Sequence, residues 1–306
     1  MLVQIYEIQR PREAERCIQL GVDHVGSVLL SREEWRQPEL REVISMSRGT
    51  RVRNSLIPLF QEKEPLFRAL DYYRPHYVHL CDTLTNPGGR PVDLEPFVRL
   101  QEALKEAFPQ IGIIRSLPVP PKAVSHAFPL HDLAQVFEPV SDLFLTDTWL
   151  GKEPVEGYIG ITGMRCDTDL ATQLVFTARI PVILAGGLSP ENVYSALMEV
   201  LPAGADSCTQ TNRVDEEKRP LRFEKDFHRV GLFVKEVRRA EADMRSRRAT
   251  LEMKLENLQA ELKEREAALP PHSVRPQQIL AIEALEDELE VLETELRVLE
   301  KALEGP

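Results

Sequence analysis

The chain has 306 residues, 28% of them charged, and a formal net charge of −11, a sign that disfavours nucleic-acid and anionic-membrane partners. No run of 18 apolar residues occurs, and Met1-Leu2-Val3-Gln4 leads straight into a strand pattern with no basic leader, so no membrane segment is predicted and a cytoplasmic location is expected. Cys17, Cys81, Cys166 and Cys208 are widely spaced without a Cys-x-x-Cys pair, which argues against a disulfide framework and a structural zinc site.

Strand-like and helix-like patterns alternate along the chain. Strands are predicted over Leu2–Ile8, Val25–Leu30, Val52–Leu59 and Tyr77–Cys81, followed in turn by helices over Arg12–Leu20, Pro38–Met46, Pro65–Tyr73 and Leu94–Phe108. Ile111–Leu117 precedes a helix over His131–Phe137, and Asp142–Thr146 precedes one over Asp167–Thr177. Val182–Ala185 leads to Glu191–Val200, and Ala205–Cys208 to a final helix starting near Phe223. Eight such units in about 235 residues predict a (β/α)8 TIM barrel, in which working residues sit at the C-terminal strand ends. An open doubly wound sheet is the alternative, but it ordinarily uses fewer repeats.

One stretch carries a chemical signal. Val182–Ala185 ends in Gly186-Gly187 and then Ser189-Pro190-Glu191, a helix start. Glycines let backbone amides approach an anion, and a helix N-terminus adds its dipole. A phosphate site is expected there; the bland alternative is a glycine turn that merely ends a strand.

Around that stretch the chain resembles the phosphoribosylanthranilate isomerase family over residues 1 to about 235. Ile5-Tyr6-Glu7-Ile8-Gln9-Arg10-Pro11 lies where the family has its strand-one motif, and Gly21-Val22-Asp23-His24-Val25-Gly26 resembles its Gly-x-Asp-x-x-Gly segment. Val78-His79-Leu80-Cys81-Asp82 and Phe144-Leu145-Thr146-Asp147-Thr148 occupy the fourth- and sixth-strand positions. Gly160-Ile161-Thr162-Gly163 with Asp167 resembles the glycine-rich loop after strand six, and Pro202-Ala203-Gly204-Ala205-Asp206 follows the Gly-Gly stretch in the family's order. The resemblance implies an intramolecular aldose–ketose isomerase performing an Amadori rearrangement in tryptophan biosynthesis, on a phosphorylated small molecule and without cofactor or metal.

Such a reaction needs an acid to open the furanose ring and a base to remove the C2 proton. Asp147 stands at the place of the family's acid. The family's base, a strand-one cysteine, is replaced by Tyr6, whose phenol, with a pKa near about 10, is a weak base unless a cation or hydrogen bond lowers it. Glu7 follows it, turned away from the lumen by strand alternation if Tyr6 points inward. Tyr6, His79 and Cys81 are therefore the candidate bases, and for His79 the bland reading is a hydrogen-bonded core residue.

The family's strand-eight Ser-Ser-Gly turn reads Cys208-Thr209-Gln210, leaving Thr209, Thr211 and Asn212 to join Gly163, Gly186 and Gly187 around the phosphate. Arg32 and Arg36 are the candidates for a carboxylate-binding arginine. Cys81, Cys166 and Cys208 all fall near strand C-termini, where a shared soft-metal site is weighed against three unrelated buried thiols.

The last seventy residues differ in kind. Met244, Leu251, Leu255, Leu258, Leu262 and Leu269 recur before Pro270-Pro271 and Pro276, and Ile282, Leu285, Leu289, Leu292, Leu296, Leu299 and Leu303 form an uninterrupted heptad seam. Arms of about 28 residues, roughly 40 Å at the helical rise, predict an antiparallel coiled-coil hairpin over 236–306. Val291 and Val298 lie on its flank, so residues 240–304 are expected to pair with another copy or with a partner helix. Two functions fit these residues: an isomerase, on the family's substrate or a changed one, and an inactive or repurposed phosphate-ester-binding barrel that works as an assembly protein through the hairpin.

Overall fold

The computed structural model describes residues 1–124, 128–269 and 275–305. Its first four units are β1 (Leu2–Ile5), α1 (Pro11–Gln19), β2 (His24–Leu29), α2 (Pro38–Met46), β3 (Arg53–Pro58), α3 (Lys63–Tyr73), β4 (Tyr77–Leu80) and α4 (Glu95–Ala107). The next four begin β5 (Gly112–Val119), α5 (Leu130–Phe137), β6 (Leu143–Thr148), α6 (Thr168–Thr177), β7 (Val182–Leu184), α7 (Val193–Val200) and β8 (Gly204–Ser207). All eight strands pair in parallel and close into a barrel, because β1 is bonded to both β2 and β8.

Alternation sorts each strand into two faces. On β1, Val3 and Ile5 pack outward against helices, while Leu2 and Tyr6 belong to an inner cluster with Ile114, Leu143, Leu145, Ile183 and Ala185. The outer core is fully buried at Val3, Phe137, Phe144, Leu197 and Phe233, each large apolar side chain contributing about 1.5–3 kcal/mol. Prolines at the first helical turn of α1 and α2 fit positions whose N–H would lack an intrahelical partner. This arrangement turns Asp147 inward at the C-terminal end of β6, in step with Leu143 and Leu145.

The chain departs from expectation after β8. A 3-10 turn (Thr209–Thr211) and a short antiparallel hairpin, β9 (Asn212–Val214) with β10 (Pro220–Lys225), occupy the stretch where a helix near Phe223 was expected. The eighth helix, α8 (Phe227–Ala267), starts only after Asp226, whose side chain accepts the N–H groups of His228 and Arg229 as an N-cap.

That helix runs 41 residues without a break, so the expected division near residue 235 falls inside it. Its first turns bury Val230, Phe233, Val237, Ala240 and Met244 against the barrel. The second arm, α9 (Pro276–Glu304), returns antiparallel, as the Arg247–Glu295 and Lys254–Glu288 ion pairs require. Its seam leucines from Leu285 to Leu303 are buried, whereas Val291 is 66% exposed. Leu299 and Leu303 join the barrel's outer core, and Lys301 donates to the carbonyls of Val175 and Ala178 at the end of α6. The predicted break at Pro270-Pro271 lies outside the described residues; Pro276 opens α9 rather than ending a helix. No helix among the described residues is long and apolar enough to cross a membrane.

Candidate active site

A cavity open to solvent lies at the C-terminal strand ends, lined by Tyr6, His79, Cys81, Asp147 and Asp206 and by the loops that carry Gly163, Gly186, Gly187 and Thr209. Asp147 accepts the Thr148 N–H at 2.9 Å, and its carboxyl lies so close to Gly160 that a Cβ there would meet Oδ2 at 2.2 Å. Burial pushes its pKa up to about 7, against the Thr148 hydrogen bond, and the charge of Glu153 adds to the rise. A carboxyl with that pKa is half protonated near neutrality, as an acid catalyst at neutral pH should be.

The glycines form a compact turn beside it. Gly186 and Gly187 adopt φ of +97° and +62°, a region that L side chains avoid. A Cβ on Gly187 would sit 2.6 Å from the Met164 carbonyl carbon, so the loops after β6 and β7 meet backbone to backbone. The amides of Gly163, Gly186 and Gly187 have no acceptor among the described residues. α7 begins at Val193, two residues beyond the expected start. Asn192 ties its entry to the turn by donating to the Gly187 carbonyl at 3.0 Å and accepting from the Ser189 amide.

Tyr6 and His79 are locked together. The Tyr6 ring lies over Gly26, where a Cβ would be 2.2 Å from it. Its hydroxyl is hydrogen-bonded to Ser55 at 2.6 Å and to His79 Nδ1 at 2.5 Å, and His79 Nε2 to Ser116 at 2.6 Å. Burial pushes the phenol well above its ordinary value and lowers the imidazole to about 3, with the Arg115 charge adding to the latter. Burial also raises the Cys81 thiol, helped by Asp82 and Asp147. All three expected bases are thus held neutral.

Glu7 escapes the alternation expected of it because its φ is +63°. Its carboxylate receives Arg222 Nε at 2.7 Å, Asn212 Nδ2 at 2.8 Å and the Phe223 amide at 3.2 Å. Burial alone would raise this group; the Asn212 hydrogen bond, the Lys225 charge and Arg222 overcome it and lower the pKa. Glu7 therefore fastens the β9–β10 hairpin to the barrel rim.

Several expected anion-binding residues lie elsewhere. Arg32 pairs with Glu33 and Glu62 along a separate surface groove, and Arg36 stacks on Tyr72 at 5.3 Å. Thr211 is buried and donates to the Cys208 carbonyl, while Asn212 is held by Glu7 and Lys225. Spacing alone could not reveal these partners. Arg222 from β10 borders the cavity instead, a position hidden from sequence because the residues ahead of α8 carry no strand pattern of their own. Asp206 borders it too; the Gly204-Asp206-Cys208 alternation was its available signal. Cys166 lies behind Gly186 with Sγ 3.5 Å from the Ala185 carbonyl, apart from Cys81 and Cys208. Among the described residues no group of three or more His, Cys, Asp or Glu side chains is placed to hold a metal ion.

No family model matches the sequence. The chain is 33% identical over 135 residues to N-(5'-phosphoribosyl)anthranilate isomerase 2 of Methanosarcina mazei, a match covering 42% of this chain and 56% of that protein. It is 26% identical over 243 residues to the corresponding isomerase of Methanosarcina acetivorans, covering 77% of this chain and 92% of the relative. The first of these matches spans only about half of the relative's length. Among solved structures, phosphoribosylanthranilate isomerase of Thermotoga maritima superposes with a TM-score of 0.55 at 23% identity, over 78% of this chain and 99% of that one. One solved isomerase is in complex with reduced 1-(o-carboxyphenylamino)-1-deoxyribulose 5-phosphate (TM-score 0.54, 20% identity, 78% of this chain and 98% of that one). In sequence and in fold, the chain is similar to the phosphoribosylanthranilate isomerases over about three quarters of its length.

Proposed function

We propose that the barrel is an isomerase that carries out an Amadori rearrangement on a phosphorylated N-glycosylamine of the phosphoribosylanthranilate type. The observation that carries this reading is the buried Asp147 carboxyl, held near neutral pKa in the same cavity as glycine amides that lack an acceptor among the described residues. Asp147 protonates the ring oxygen, and Gly163, Gly186, Gly187 and Thr209 bind the phosphate. Arg222 supplies a positive charge at that rim. The part of α8 beyond Met244 and the α9 arm form an attachment that gathers a second copy or a partner helix.

The test is turnover of phosphoribosylanthranilate, generated in situ, with Asp147→Asn as control. Turnover abolished by that change supports the isomerase. No turnover in the unmodified protein, together with tight binding of the reduced deoxyribulose phosphate analogue, supports the second reading, a repurposed phosphate-ester-binding barrel. That reading draws on the Tyr6–His79 lock, which stands where the resemblance calls for a thiolate.

A further inference from the structure

Proton removal at C2 requires a group with a lone pair free to accept the proton. Tyr6 and His79 spend their polar atoms on each other and on Ser55 and Ser116. Glu7 is held by Arg222, Asn212 and the Phe223 amide. Asp206 differs from all of these. It lies on the lumen side of β8 opposite Gln4 of β1, is 7% exposed, borders the cavity, and has Oδ1 without a hydrogen-bond partner among the described residues. An unpartnered buried carboxylate oxygen costs about 1–3 kcal/mol or more, so such atoms are rare unless a ligand or proton completes them.

We propose that Asp206 is the second catalytic residue of this barrel, taking the C2 proton in place of the missing strand-one thiolate. The inference rests on the isomerase reading above. Burial and the nearby charge of Asp147 raise the Asp206 carboxyl, against the Gln4 side chain and the Lys225 charge, and two carboxyls in one cavity do not readily ionise together. The reactive arrangement is the one with Asp147 protonated and Asp206 ionised. Asp147 gives its proton to the ring oxygen as the C1–O bond breaks and the amine lone pair forms a C1=N iminium. Asp206 then takes the C2 proton; the C–H electron pair becomes the C1=C2 bond, and the iminium pair returns to nitrogen. The enol collapses when its 2-hydroxyl proton passes to Asp147 and C1 receives the proton from Asp206. The product is the 1-amino-1-deoxyketose, both carboxyls are restored, and no other reactant is consumed.

The experiment compares Asp206→Asn, Asp206→Glu and Asp147→Asn in turnover of substrate made from anthranilate and ribose 5-phosphate, with and without deuterium at C2. Asp206→Asn is expected to lower kcat about 100-fold or more with KM little changed. Asp206→Glu should recover at least about tenfold of that loss, with an enlarged C2 deuterium isotope effect because proton removal now limits the rate. A merely structural role would not move the isotope effect. If Asp206→Asn keeps kcat within about threefold of the unmodified protein while Asp147→Asn is inert, the role of Asp206 is overturned and the isomerase stands. An inert unmodified protein overturns both. If Asp206→Asn fails to fold, an unchanged isotope effect in Asp206→Glu overturns the proposal.

Discussion

Replacing Asp82 by Asn isolates the energetics of the buried ion pair between the residues after β4 and strand β5. Arg115 is fully buried between Phe97 and Phe137, with Nη1 2.9 Å from Asp82 Oδ2 and Nε 2.7 Å from Gln101 Oε1. At that separation and an effective dielectric constant near 20, the gross attraction is roughly 6 kcal/mol, most of it offset by the desolvation of both ions. Asn keeps the shape of Asp but removes the charge, so Arg115 becomes an uncompensated buried cation. The expected loss is about 3–5 kcal/mol in urea unfolding followed by far-ultraviolet circular dichroism. The double change Asp82→Asn with Arg115→Met removes both charges and should recover all but about 1 kcal/mol, the residue being the orphaned Gln101 carbonyl. A single-variant loss below about 1 kcal/mol, or a double variant no more stable than the single, would refute the claim that charge compensation holds β4 to β5 here.

Three further outcomes are expected. Tyr6→Phe leaves Ser55 and His79 short of a partner and should cost about 1–3 kcal/mol of stability, yet lower kcat by less than about tenfold; a larger kinetic loss would return the phenol to the list of proton carriers. Gly187→Ala forces a side chain into left-handed backbone already pressed on Met164. With about 1–3 kcal/mol of strain, binding of the phosphate-ester analogue by calorimetry should weaken about tenfold or more. Because Asp147 is protonated below about 7 and acts in that form, kcat/KM should fall as pH rises through that value. Its folded-state pKa is raised, so its contribution to stability is full below the unfolded value near about 3.9 and is lost as pH climbs towards 7.

The barrel was legible because eight short apolar runs recur with helical patterns between them, and neither signal needs tertiary information. Asp147 and the Gly186–Gly187 turn were legible for a related reason: strand ends and glycines mark positions that backbone geometry dictates. What remained hidden depends on contacts between distant residues. Glu7 breaks period-two alternation through a left-handed backbone angle, and it does so to meet Arg222 and Asn212 more than 200 positions later. Arg32 and Arg36 looked equivalent by spacing and are separated only by their partners, Glu33 and Glu62 for one and the Tyr72 ring for the other. The β9–β10 hairpin escaped because its strands, Asn212–Val214 and Pro220–Lys225, are broken by charged residues and lack the apolar runs that mark the barrel strands.

The unbroken course of α8 bears on where the gene can be cut. A fragment ending at residue 235 would discard Val237, Ala240 and Met244, all of them wholly enclosed, together with the Leu299 and Leu303 side chains that the returning arm lays over the same region. Such a fragment would bare an oily strip along the barrel flank and invite aggregation. A minimal soluble version has to keep at least the first turns beyond Met244, and it would still lack the lid that the last turns of α9 provide.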